Sequence, residues 1–126
     1  MPIPSPTEQF FRRLYDAFNA RELDQGLADM HPDVNWPNMI EGGREHGHAA
    51  VKAYWKKQLE TMDPRVDPQR VKSIGDDQVV VTVHQVVRDK SGEVIADNMV
   101  EHVYTLRDGL IERMDVREPD SPQAQP

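Results

Sequence analysis

Apolar side chains recur at Phe10, Phe11, Leu14, Tyr15 and Phe18, with Arg12, Arg13 and Asp16 on the opposite side. That spacing is the stripe of an amphipathic helix. Ser5-Pro6-Thr7-Glu8 reads as its start, with a capping serine, a proline at the first helical position and a glutamate three residues after the cap. Asn19-Ala20-Arg21 breaks the stripe. Leu23, Leu27 and Met30 then mark a second, shorter helix ended by Pro32. Asp33 to Trp36 is a short extended segment stopped by Pro37. Residues 37–47, with Gly42, Gly43 and Gly47, read as a loop or small hairpin. Val51, Tyr54, Trp55, Leu59 and Met62 share one face of a third helix, from about His48 to Met62, closed by Asp63-Pro64.

After Pro68 the period changes from helical to alternating. Gln69 to Ile74 predicts a strand, followed by a turn at Gly75-Asp76-Asp77. Gln78 to Arg88, rich in valine, is the strongest strand in the chain. Asp89 to Gly92 is a hairpin turn, Glu93 to Leu106 a second long strand, Arg107-Asp108-Gly109 another turn, and Leu110 to Arg117 the last strand. Helices first and consecutive antiparallel strands afterwards predict an α+β fold rather than alternating βαβ units. Residues 1–6 read as a lead-in, 7–118 as one domain, and the Pro-rich 119–126 as a disordered tail.

The faces of the long strands locate the candidate chemistry. On 93–106 one face carries Ala96, Asn98, Val100, His102, Tyr104 and Leu106. A solvated face rarely groups valine, tyrosine and leucine, and a sealed core rarely groups asparagine and histidine. The mixture fits a cavity wall; a histidine hydrogen-bonded inside an ordinary core is the alternative. On 78–88 the more apolar face is Val79, Val81, Val83, Gln85 and Val87, which brings Gln85 towards Asn98 and His102 and turns His84 outward.

Composition narrows the function classes. The 126 residues contain no cysteine, so a disulfide framework, a thiolate zinc site and a cysteine nucleophile are all excluded. Acidic residues outnumber basic ones 22 to 15, for a net charge of −7. With no basic stripe, neither nucleic acid nor an anionic membrane is an expected partner. Lys52, Lys56 and Lys57 read as a solvated helix face. No signal peptide or spanning segment is apparent, and a soluble, cytoplasmic protein is expected. His46-Gly47-His48 lacks a third nearby ligand and reads as loop and cap, so no metal site is assigned.

Four segments together resemble the SnoaL-like polyketide-cyclase family of the nuclear transport factor 2-like superfamily. They are Tyr15 to Asp24, Met30 to Trp36, Gly47 to Val51 with Tyr54-Trp55 beyond it, and His102 to Ile111. The resemblance covers roughly residues 7–118. It implies a cone-shaped roll of three N-terminal helices on a strongly curved antiparallel sheet, enclosing an apolar pocket and needing no cofactor. It also implies a homodimer through the convex sheet face, here Met99, Glu101, Val103 and Thr105 with Thr82 and His84 beside them. In the ketosteroid isomerases of this superfamily an acid donates to the substrate oxygen at a position falling at or near His102. Their carboxylate base would lie in Asn35 to Glu41, where Glu41 is the only carboxylate. That pattern is not met, nor is the Asp–Arg–Asp set of limonene epoxide hydrolases.

Two readings follow. In the first, a cofactor-independent acid–base enzyme of isomerase, cyclase or dehydratase type acts on a small hydrophobic carbonyl compound. His102 and Tyr104 are then the candidate catalytic residues, Gln85 and Asn98 orient the ligand, and Tyr15, Phe18, Trp36 and Trp55 wall the pocket. In the second, the pocket binds a small molecule or a partner without catalysis, and His102 only satisfies a buried neighbour.

Overall fold

The structure is a computed structural model, and it describes residues 5–118. The tail at 119–126 and most of the lead-in lie outside the described residues. Ser5 caps the first helix, α1 (Pro6–Asn19), its side chain accepting from the Glu8 amide at 3.1 Å. The helix ends in a Schellman-type turn: Arg21 N–H donates to the Phe18 carbonyl and Glu22 N–H to that of Ala17. Arg21 takes the left-handed conformation (φ 64) that such an ending needs, with its guanidinium over the Phe18 ring.

The remaining elements are α2 (Leu23–Leu27), β1 (Met30–Pro37), β2 (Arg44–His46), α3 (His48–Thr61), β3 (Met62–Ile74), β4 (Gln78–Asp89), β5 (Val94–Arg107) and β6 (Leu110–Arg117). All six strands belong to one sheet, in the order β2-β1-β6-β5-β4-β3. The pairings are antiparallel except β1 with β6. The β5–β6 hairpin turns through Asp108 (φ 55) and Gly109 (φ 78), the two positive φ values of a type I′ turn.

The expected cone of three N-terminal helices on a strongly curved sheet is corrected. The α+β class stands, but α3 is not N-terminal: it follows β1 and β2, a hairpin that pairs Asn35 with His46 and Pro37 with Arg44. The strands form one six-stranded sheet running from edge to edge, not a strongly curved roll, and it is mixed rather than antiparallel throughout. Two element boundaries also move. Met30 opens β1 instead of extending α2. β3 starts at Met62, seven residues before the expected Gln69, and passes through Pro64 and Pro68. Proline reads as a strand breaker because it cannot donate to a ladder. β3, however, is an edge strand, where a missing donor is tolerated, and a register shift lies just after Pro68.

The helices cover one face of the sheet. Phe11, Leu14 and Tyr15 of α1, Val51, Tyr54 and Trp55 of α3, and the inward valines of β4 form a continuous buried cluster. Asn19 ties α1 to the sheet edge. Its Nδ2 donates to the Val66 carbonyl at 2.8 Å and its Oδ1 accepts from the Val66 amide at 3.0 Å. Truncation would leave two part-buried backbone groups without partners. Asn19→Ala is expected to lower the unfolding free energy by about 2 kcal/mol, read as a shifted urea midpoint with an unchanged slope.

Candidate functional site

Strand register sets the site out in rows across the inner face. His102 pairs with Val81 and Val116; Val100 pairs with Val83; Asn98 pairs with Gln85, which pairs with Val66. One row further in, Tyr104 lies between Val79 and Met114. From these rows Asn98, Val100, His102 and Tyr104 of β5, with Gln85, Val66, Met114 and Val116 beside them, form one wall of a cavity of about 450 Å³. α1 contributes Leu14, Tyr15 and Phe18, and α3 contributes Tyr54, Trp55 and Gln58. Trp36 and Pro37 at the end of β1, with Met39 and Ile40 of the following loop, complete it. Tyr15, Phe18, Trp36, Trp55, Gln85, Asn98, His102 and Tyr104 all line this one space.

The polar side chains at the sheet wall divide into two groups, and α3 adds Tyr54, whose hydroxyl accepts from the Met39 amide, and Gln58. At the inner end three buried side chains form a hydrogen-bonded chain. Tyr15 OH lies 2.7 Å from His102 Nδ1 and 2.8 Å from Tyr104 OH. The Tyr15 ring is nearly parallel to the imidazole, and Tyr104 packs against Phe11 at a 4.7 Å centroid distance. Towards the mouth, Asn98 and Gln85 face each other across β4 and β5. Among the described residues neither amide has a hydrogen-bond partner. No aspartate, glutamate, lysine or arginine lines the cavity.

Proton counting gives the chain a direction. Tyr104 is almost wholly buried, and its hydroxyl has one partner, Tyr15. If His102 Nδ1 carried the hydrogen, Tyr15 would donate to Tyr104 and the Tyr104 proton would lack an acceptor, a costly state inside a protein. The reverse direction satisfies every buried proton: Tyr104 donates to Tyr15, and Tyr15 donates to Nδ1. His102 is then the Nε2–H tautomer. No described residue bonds Nε2, and no fully buried side-chain nitrogen is left without a partner, so Nε2 opens to the cavity. The inner end therefore presents one N–H donor.

Burial sets the protonation states. It pushes His102 down to about 4, so the imidazole is neutral at physiological pH. Burial also raises both Tyr15 and Tyr104, which stay protonated. A neutral histidine with so low a pKa is a poor base and a good hydrogen-bond donor.

Other candidates fall away from this space. Asn38 caps the β1–β2 loop: its Oδ1 accepts from the Ile40 and Glu41 amides, and its Nδ2 donates to Glu45. Glu41 is exposed and paired with Lys57 at 3.1 Å. His48 Nε2 meets the Met30 carbonyl at 2.8 Å, and His84 pairs outside with Asp97. Among the described residues no group of three or more histidine and acidic side chains converges as a metal site. Two features escaped the sequence. Tyr15 is a hydrogen-bonding partner of His102 as well as a wall, and Met39 and Ile40 stand exposed at the mouth. The first needs a contact 87 residues apart, and the second sits in a segment with no periodicity.

A family model for the SnoaL-like domain matches residues 11–114. The chain belongs to the SnoaL-like family. That family is part of the nuclear transport factor 2-like superfamily. Among solved structures, TerC co-crystallised with polyporic acid is 30% identical, with a TM-score of 0.79 over 91% of this chain and 92% of that one. An NTF2-like protein of unknown function from Burkholderia pseudomallei is 26% identical, also at 0.79, over 92% of each chain. The Mycobacterium tuberculosis protein RV0760c, in complex with estradiol-17beta-hemisuccinate, is 17% identical with a TM-score of 0.77 over 92% and 95%; it shares the fold. No curated protein matches the chain significantly. No helix among the described residues is long and apolar enough to cross a membrane.

The neutral His102 makes stability depend on pH. Its folded pKa lies below the unfolded value near 6.5, so the unfolded chain binds the proton first as pH falls. Its contribution is full above about pH 6.5 and lost progressively towards about pH 4, roughly 3 kcal/mol in all. Urea unfolding across that range is expected to show a shallower loss in His102→Leu than in the parent chain.

Proposed function

We propose that the protein is a cofactor-independent enzyme in which His102 Nε2–H donates to the carbonyl oxygen of a small hydrophobic substrate. The observation that carries this reading is the buried Tyr104–Tyr15–His102 chain, which ends in a neutral N–H donor on a largely apolar cavity lined by no charged side chain. A preorganised donor in a low-dielectric site stabilises negative charge as it develops on a carbonyl oxygen. Enolisation, aldol cyclisation and elimination next to a carbonyl all develop such charge, which supports an isomerase, cyclase or dehydratase type. With no carboxylate in the lining, the α-C–H proton is taken by a water molecule that enters through the open mouth, and its electron pair moves onto the carbonyl oxygen held by His102. Tyr15 and Tyr104 act through His102 by holding its tautomer and ring plane. The relative TerC, co-crystallised with polyporic acid, supports a small organic molecule as the occupant.

The same proposal takes residues 7–118 as the functional unit, cytoplasmic and homodimeric through the sheet face that the helices leave uncovered. Exposed Met99 beside Val103 and Thr105 supports that face as the contact. Sedimentation at micromolar concentration is expected to give twice the chain mass, and Met99→Glu to return it to one.

Exchange of α-hydrogens for deuterium in benzoylacetone, followed by NMR, tests the chemistry. The parent chain is expected to accelerate exchange, and His102→Phe to lose about 100-fold of that acceleration. Tyr15→Phe, which frees the tautomer, is expected to lose less. Equal exchange rates in parent and His102→Phe, with binding retained, would establish the non-catalytic pocket instead.

A further inference from the structure

We infer that the cavity is a two-ended site selecting an elongated, uncharged molecule, with Gln85 and Asn98 gripping a second oxygen far from the one that His102 meets. The inference rests on the proposed function for its inner end and adds the outer end, the length and the charge of the ligand.

Three observations carry it. Asn98 and His102 point to the same face of β5 and are four residues apart, so their rows are separated by about 13 Å along the strand. Between them on the sheet wall lies Val100, paired with Val83, which offers no side-chain polar atom. A ligand spanning both ends therefore lays its middle on an apolar stretch of the sheet, and the flanking rings of Phe18, Trp36 and Trp55 favour a ring skeleton.

The outer pair is also chemically distinct from the inner donor. An amide both donates and accepts, whereas Nε2–H only donates. Two directly opposed amides with no protein partner among the described residues match a hydroxyl or a carbonyl equally well. The inner end takes an acceptor alone. Asn98 is exposed and Gln85 half-buried, so this pair meets the ligand at the mouth, while buried His102 meets it at the inner end. Lastly, a cavity lined by no charged side chain gives a charged ligand nothing to replace its hydration. Selection for neutral molecules follows from what the wall lacks.

The test uses three aryl ketones that differ at one end: 4-acetylbiphenyl, its 4′-hydroxy derivative and its 4′-carboxylate. Trp36 and Trp55 are the chain's only tryptophans and both line the cavity, so intrinsic fluorescence reports occupancy. The hydroxy ketone is expected to bind roughly three- to tenfold more tightly than 4-acetylbiphenyl, and the carboxylate most weakly. In Gln85→Leu/Asn98→Leu the affinity ratio of the hydroxy ketone to 4-acetylbiphenyl is expected to fall to about one. Gln85→Met alone, a milder change, is expected to remove part of the advantage. An equal affinity for the two neutral ketones in the parent chain overturns the inference, as does an advantage that survives in the double variant or the absence of any binding. His102→Phe separates the two readings. It weakens both neutral ketones alike if the inner contact exists. No effect there, beside a lost advantage in the double variant, would remove the proposed function and leave the outer grip standing.

Discussion

The buried hydroxyl of Tyr15 is the constraint around which the site is organised. A hydroxyl out of reach of water must find partners, and this one finds two on β5, His102 Nδ1 and Tyr104 OH. Those bonds fix α1 over the sheet at one depth and one rotation. They also settle which nitrogen of the imidazole carries hydrogen, and so what the cavity presents to a ligand. A phenylalanine at this position would keep the apolar packing and lose that information.

The hydrophobic shell around the chain is what gives it chemical meaning. Desolvation holds the imidazole neutral and both phenols protonated, so the three groups share protons among themselves without net charge. In water the same residues would offer a partly protonated histidine and two independent hydroxyls. Here they are a single donor with a fixed direction. The aromatic rings of α1, β1 and α3 thus act on electrostatics as well as on packing.

Much of the site was legible because β4 and β5 are long, regular and alternating. Once Val81, Val83, Gln85 and Asn98, Val100, His102 were assigned to faces by period two, pairing in register put them on one wall, and the shifts at Val87/Arg88 and Thr105/Leu106 lie outside that stretch. The two edges of the sheet were harder to read. Pro64 and Pro68 hid the first half of β3, because a breaker in the sequence is harmless where no neighbour needs its N–H. The β1–β2 pairing reads from the sequence as a loop or small hairpin, since the three residues of β2 carry no period, and without a paired strand before it α3 is easily grouped with the N-terminal helices. The direction of the Tyr104–Tyr15–His102 chain was beyond the sequence, because it follows from counting protons among groups that only the fold brings together.

The same edges bear on how copies of the protein can meet. A sheet with bare edges invites another strand to add on, and an open-ended array can follow. Here β2 is only three residues long, and the far side of β3 is interrupted by two prolines and occupied at Val66 by the side chain of Asn19. The prolines and Asn19 thus interrupt the outer side of β3 over its first half, where another strand would otherwise have most room to add on.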